Sequence, residues 1–283
     1  MRSIARSRGA RLTVIYLLAT LVVAFTLLPI AYMATIALRP NADIYLSPFP
    51  YLPPHPTLAN FRDVLTGNTV ADARLVPAAG RTLVVATAST ACAVALAALA
   101  AYGLARFRFR GRTGFGLGLL ATQMMPAVLF LVPLFVIFRQ LQLTNTLRGL
   151  SLAYLTFALP FCIWMLRGYF DTIPAELEEA SMLDGSTRLQ ALRHVVLPLA
   201  APALAATATF AFITAWNEFL FAFILGGQTP LATVALYSFV SQYGPQYGNL
   251  MAAALLVGLP PVLLFAVMQR WLIQGLTAGA VKQ

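Results

Sequence analysis

The sequence predicts an all-α polytopic membrane protein with six transmembrane helices. Three observations carry that reading. Hydrophobic residues make up 60% of the 283 residues and charged residues only 10%, where a soluble domain carries about 25% charged. Mean hydropathy is +0.79. Apolar runs near the ~20 residues needed to cross a bilayer recur at Leu12–Leu38, Thr82–Leu104, Phe115–Phe138, Leu150–Leu166, Ala201–Leu225 and Leu250–Leu272. Only lipid, or a helical bundle within it, can cover so much apolar surface, so the lipid bilayer is the first predicted partner.

The first run follows Arg2, Arg6, Arg8 and Arg11. It exceeds the 7–15 residues typical of a cleavable signal core and reads as a true span. Behind it stand Pro48, Pro50, Pro53, Pro54 and Pro56. Each locks φ and removes an amide donor, which predicts an irregular path rather than a folded domain. Three regions follow: 1–80 (N-terminus, first helix and Pro-rich segment), 81–272 (transmembrane core) and 273–283 (tail). Pro126, Pro133 and Pro160 read as kink sites within the third and fourth runs.

Basic residues orient the spans. On one side lie Arg2, Arg6, Arg8, Arg11, Arg106, Arg108, Arg110, Arg112, Arg167, Arg188, Arg193, Arg270 and Lys282; on the other only Arg39, Arg62, Arg74, Arg81, Arg139 and Arg148. Both termini are therefore predicted to be cytoplasmic. The net charge of +10 and the alternation Arg106-Phe107-Arg108-Phe109-Arg110 invite a nucleic-acid reading by base stacking. A short cytoplasmic turn whose arginines set topology and touch anionic headgroups accounts for them better, and no nucleic-acid partner is expected. Cys92 and Cys162 sit inside predicted spans and read as small packing residues. His55 and His194 lack ligand spacing, and no metal site is expected. The chain contains no phosphate loop of the G-x-x-x-x-G-K-[ST] type.

Between the fourth and fifth runs lies a patterned polar stretch, Pro174 to Pro202, far longer than the 2–8 residues that join most bundle helices. Pro174 suits a helix start, and Glu176, Glu178 and Glu179 suit its positive first turn. Asp184-Gly185 reads as a stop and a sharp elbow. Ser186 reads as the cap of a second helix whose apolar face is Leu189, Leu192, Val195 and Val196, with Leu197-Pro198 ending it. Two short helices at a fixed angle form a rigid knob suited to docking.

Glu179-Ala180-Ser181, Asp184-Gly185, Leu197-Pro198 and Pro202 resemble the EAA loop of ABC importer permeases. The wider text resembles the carbohydrate-uptake (maltose-type) permeases, in particular the shorter of their two permease subunits. Met124-Met125-Pro126 with Val132-Pro133-Leu134, then Leu159-Pro160-Phe161 through Phe170, then Trp216–Ala222 and Gly275–Lys282 are similar to family segments in the same order. Departures are Ser181 for the usual second Ala, Gly80-Arg81 for Asn-Ser, and Gln283 for a common Gly.

The resemblance implies a five-helix type I ABC importer core and a cytoplasmic coupling helix formed by Glu178, Glu179, Ala180, Ser181, Asp184, Gly185, Leu197 and Pro198. It implies a tail, through Thr277, Gly279 and Val281, that reaches the ATPase. The implied partners are a second homologous permease, two copies of a cytoplasmic ABC ATPase that hold ATP and Mg, and an extracytoplasmic solute-binding protein. This chain would bind no cofactor and catalyse nothing. The implied location is a prokaryotic inner membrane, and the implied cargo is a sugar or sugar derivative. A phosphorylated polyol, an amino sugar or another small solute remains open, as, more remotely, does secondary transport, although that usually needs internal repeats and ion sites in the spans.

Glu218 is the only carboxylate within the six runs. A charge in the bilayer interior costs about 2.5–3.5 kcal/mol on the milder scale, so it faces a cavity or a partner. With Trp216 and Asn217 it offers stacking and hydroxyl-binding groups on a translocation path; alternatively it pairs with a neighbouring helix. Gln123 and Asn145 are further path candidates. From Gly226 to Asn249 no residue is charged, but Tyr237, Tyr243, Tyr247, Gln228, Gln242 and Gln246 are present. Such groups suit a neutral polyol or a docked binding protein.

Overall fold

The computed structural model describes residues 2–45, 51–69, 74–240 and 246–280, and among them every regular element is helical. The helices are α1 (Arg2–Ala37), α2 (Ala59–Thr66), α3 (Leu75–Arg106), α4 (Arg112–Met124), α5 (Leu131–Gln140), α6 (Leu147–Phe170), α7 (Glu176–Leu183), α8 (Arg188–Ala191), α9 (Leu197–Leu199), α10 (Ala201–Asn217), α11 (Leu220–Gly226), α12 (Ala232–Ser238) and α13 (Tyr247–Ala280). Four helical stretches are long and apolar enough to cross a membrane unaided: Arg11–Ala37, Leu75–Arg106, Leu147–Phe170 and Tyr247–Trp271. Two bent pairs bring the total to as many as six.

One bend falls at Pro126, an expected kink site, and is sharp enough to split the third run; the break at Glu218 corrects the reading of the fifth run as continuous. The third run is not one rod: Arg112–Met124 and Ala127–Gln140 meet at 98°. Proline disfavours helical ψ in the residue before it, and Met125 accordingly takes ψ 132° ahead of Pro126. Pro133 lies in the first turn of α5, and Pro160 lies inside the unbroken α6. The fifth run also breaks, because Glu218 takes an extended conformation (ψ 127°) between α10 and α11. A further bend of 78° separates Arg188–Leu199 from Ala201–Asn217.

The chain divides into two compact units, Met1–Leu75 with Leu236–Val257, and Val76–Ala235 with Gly258–Gln283. In the first, residues 11–32 of α1 are exposed throughout. The chain beyond α1 is pinned by Asn60, whose buried amide donates to the carbonyls of Ala37 (2.8 Å) and Arg39 (2.6 Å). Residues 51–58, which include Pro53, Pro54 and Pro56, form no helix or strand; Pro48, Pro50, Gln242 and Tyr243 lie outside the described residues.

In the second unit, α6 is the hub and packs against α4, α10 and α11. Its core joins Ala93, Ala97, Ala101 and Tyr102 of α3 to Cys162, Leu166 and Phe170 of α6 and to Leu192 and Val196. Alanines on α3 let helix backbones approach closely, which is how bundles pack where lipid removes the hydrophobic drive.

Candidate functional site

The polar stretch after α6 folds as a helical hairpin. The three glutamates stand in the first turn of α7, with Pro174 just ahead of the helix and Ala175 at its N-cap. The elbow falls at Gly185, whose φ of +94° lies in the left-handed region. There the Gly185 amide donates to Met182 O and the Ser186 amide to Ser181 O, both at 3.1 Å, the pair of bonds that closes a Schellman C-cap. The second helix is capped by Thr187 rather than Ser186. Its hydroxyl accepts from Gln190 N while Gln190 Oε1 accepts from Thr187 N (2.7 Å), a complete capping box.

Leu192 and Val196 are buried as expected, but Leu189 is 67% exposed. A π turn follows at Leu192–Val196. Pro198 does not end the helical path. It lies in α9, and the path stops at Ala200.

The tip and root of the hairpin differ in character. At the tip Leu183 is 89% exposed, beside exposed Glu179, Ala180, Asp184 and Gly185, with Ser181 half-buried. At the root Glu178 is 3% exposed. Its carboxylate accepts from Arg106 Nε (2.5 Å) and Tyr102 Oη (2.9 Å) of α3. The same guanidinium donates from Nη1 to Phe170 O (3.1 Å) and from Nη2 to Ile173 O (2.9 Å). One arginine thus fastens α3, the C-terminal end of α6 and α7 together, and it neutralises a carboxylate that burial alone would disfavour. Arg188 stacks over the Phe107 ring at 5.2 Å. Arg112 and Arg167 flank Asp171 at 3.8 and 3.7 Å.

The alternation of Arg106 to Arg110 suggests headgroup contacts, but Arg106 turns toward Glu178 of this chain instead. The proximity of Tyr102 and Arg106 to Glu178 depends on residues some seventy positions apart. No local signal singled out Glu178, which stands among three glutamates of one helix start.

The path candidates lie apart from the hairpin. Trp216 is 2% exposed and stacks on Phe212 at 5.6 Å. The exposed Asn217 returns its amide to Ile213 O at 3.0 Å. Glu218 caps the restart of the helix, its two oxygens accepting from the amides of Phe221 and Ala222 at 3.0 Å each, and its own carbonyl accepts from Thr233 Oγ1 at 2.8 Å. Breaking a helix inside a membrane frees amides that need partners, and the carboxylate supplies them from the break itself. Asn145, at φ 59°, donates its backbone amide to Leu225 O at 2.8 Å.

Gln123 lines a separate cavity of about 310 Å³ with Thr122, Thr156, Thr214, Phe161 and Phe210. The two phenylalanine rings stack at 4.0 Å. Each threonine hydroxyl already donates to a helix carbonyl, and Gln123 donates to Phe157 O. The cavity therefore presents aromatic faces and unengaged oxygen lone pairs, with no charge. Thr277 and Gly279 lie on the helical backbone of α13, and Val281 lies outside the described residues. Among the described residues no group of three His, Cys, Asp or Glu is placed to hold a metal ion.

Comparison with known proteins adds four findings. Residues 93–278 match the family of binding-protein-dependent transport system inner membrane components. The chain is 38% identical over 267 residues to the trehalose transport system permease protein SugB of Mycobacterium tuberculosis, covering 93% of this chain and 95% of that one. It is 42% identical over 171 residues to the diacetylchitobiose uptake system permease protein DasC of Streptomyces coelicolor, covering 60% of this chain and 62% of that one. Its fold resembles a chain in the crystal structure of a bacterial ABC transporter involved in import of the acidic polysaccharide alginate, with TM-score 0.75, 23% identity, and coverage of 94% and 98%.

Proposed function

Since the chain belongs to the binding-protein-dependent inner membrane components, the permease subunits of ABC importers, we propose that it carries a neutral sugar, a disaccharide or its derivative, across the membrane by alternating access. Membership of that family makes it a transport subunit rather than an enzyme, working with an ATPase and a solute-binding protein. The observation that carries the mechanism is the hairpin, which has an exposed tip on a buried, ion-paired root. A tip that docks on another protein transmits force only if its root cannot swivel.

In this reading two copies of a cytoplasmic ATPase bind ATP and Mg, and this chain binds no cofactor. Glu179, Ala180, Ser181, Asp184 and Gly185 form the docking face, Glu178 the root, and Leu197-Pro198 the joint to the fifth span. A second homologous permease completes a heterodimer and covers α1. Both termini lie in the cytoplasm of a prokaryotic cell, beneath its inner membrane, where Thr277, Gly279 and Val281 approach the ATPase. ATP closure moves the hairpin, the spans rock and the binding protein releases its sugar into the path; hydrolysis resets the spans. No bond in the sugar changes.

Two relatives are named for trehalose and diacetylchitobiose, which supports a disaccharide. The Gln123 cavity supports a neutral one, because its free oxygen lone pairs accept from hydroxyls and repel phosphate. The test is purification from native membrane with companion chains intact, reconstitution into vesicles, and uptake of labelled trehalose, diacetylchitobiose and maltose with and without ATP. ATP-dependent uptake of one of them is expected. Uptake without ATP or companions, or uptake confined to phosphorylated solutes, overturns the proposal.

A further inference from the structure

The hairpin and the Glu218 break are joined by a physical route that neither the family match nor the relatives' names assign. It runs along α3. Of the long helices described, α1 carries Pro29, α6 Pro160, and α13 Pro260 and Pro261 in their interiors. The only proline of α3, Pro77, stands in its first turn, where a missing amide costs nothing. From Thr82 to Arg106 the helix is an uninterrupted rod, about 36 Å long at 1.5 Å per residue. The third span, bent by 98°, cannot carry a push along its axis.

Each end of the rod is bonded. At the hairpin end, Arg106 and Tyr102 hold Glu178. At the far end, Arg81 Nε donates to Pro230 O at 2.9 Å. The buried hydroxyl of Thr82 accepts from Ala232 N at 2.8 Å while donating to Ala78 O at 2.9 Å. The residue after Ala232 then closes the chain, since Thr233 Oγ1 donates to Glu218 O and the Glu218 carboxylate caps α11. Every link is a hydrogen bond between groups that are buried or partly buried, where a lost partner is costly and slippage is resisted.

We propose that α3 is a tie rod, with Arg106 at one end and Arg81 and Thr82 at the other as positioning residues, through which displacement of the hairpin shifts the break at Glu218 in the fifth span. The inference rests on the importer reading above. Because linkage is reciprocal, whatever docks near the far end must feed back on the ATPase by the same route.

The test uses the complete importer in lipid nanodiscs and measures ATP hydrolysis with and without its sugar-loaded binding protein. Thr82→Val keeps the side-chain shape but removes the acceptor for Ala232 N. It is expected to lower the stimulated-to-basal ratio by about threefold or more. Arg81→Met should do the same, whereas Arg81→Lys, which keeps a donor, should retain most of the ratio. Links in series are not additive, so Thr82→Val with Arg106→Met should be no worse than the more damaging single change; independent effects would multiply. A folding defect lowers basal and stimulated rates together and leaves their ratio unmoved. Wild-type ratios in both Thr82→Val and Arg81→Met, or a multiplicative double variant, overturn the tie rod. A wild-type complex that hydrolyses no ATP overturns the importer reading instead, before any variant is compared.

Discussion

Arg106→Met removes the group that holds the hairpin root, and the size of the effect follows from what is left behind. The side chains of Glu178 and Arg106 are 4% and 12% exposed. Without the guanidinium, the Glu178 carboxylate keeps a single protein donor, Tyr102, and the carbonyls of Phe170 and Ile173 lose their charged donor. Removing one partner of a buried pair costs about 3–5 kcal/mol, against at most about 1 kcal/mol for a surface pair. The loss is local, so it appears as opening of the hairpin rather than global unfolding. At tenfold per 1.4 kcal/mol, amides of Leu177–Leu183 should exchange with deuterium roughly one hundred to several thousand times faster, while those in the middle of α3 serve as an unchanged reference. Arg106→Met combined with Glu178→Met removes both charges, and such apolar replacements are often close to neutral, so most of the protection should return. Exchange in Arg106→Met within tenfold of wild type would refute the reasoning. So would a double variant that opens faster than the single one.

Three further outcomes are expected. Gly185→Val places a β-branched residue at φ +94°, where an added Cβ meets no atom within 4 Å; the cost is purely conformational, about 1–3 kcal/mol. Sugar moved per ATP hydrolysed should fall while membrane insertion persists, and an unchanged ratio in vesicles would contradict the elbow's role. Gly149→Ala drives a Cβ into the Leu143 carbonyl, an overpacking cost of about 1–3 kcal/mol, so its melting temperature should drop. Gly168→Ala, whose Cβ enters open space, should not lower it, and equal melting of the two variants would count against the close approach at α6. Glu218→Gln leaves one acceptor oxygen for two amides, so either Phe221 or Ala222 should lose protection, at a cost of about 1–3 kcal/mol; unaltered exchange there would rule out the cap.

The candidate site was partly legible. Asp184-Gly185 announced the elbow, since few residues other than glycine tolerate a left-handed turn. The glutamates of α7 announced a helix start. Thr187, by contrast, competed with Ser186 one residue earlier, and only the reciprocal bond with Gln190 selects it. Leu189 shares a helical face with Leu192 by spacing, yet it is exposed, because periodicity says which residues share a face and not how far the packing partner extends along it. In the third run Pro126 marked the break, whereas the continuous fifth run hid its own for another reason: apolar composition measures length against the bilayer and is silent about direction.

Composition and the lengths of the apolar runs sufficed to indicate a helical membrane chain with a polar hairpin between two of its runs, because lipid leaves few ways to satisfy a backbone and those ways are written in local runs. Which carboxylates are held, and by what, was settled only by folding. Arg106 meets Glu178 across 72 positions, Thr82 meets Ala232 across 150, and Glu218 binds amides that exist as free donors only because the helix breaks beside it. Such pairings depend on how separate helices pack, and the helices' own hydropathy is the same whether or not they meet.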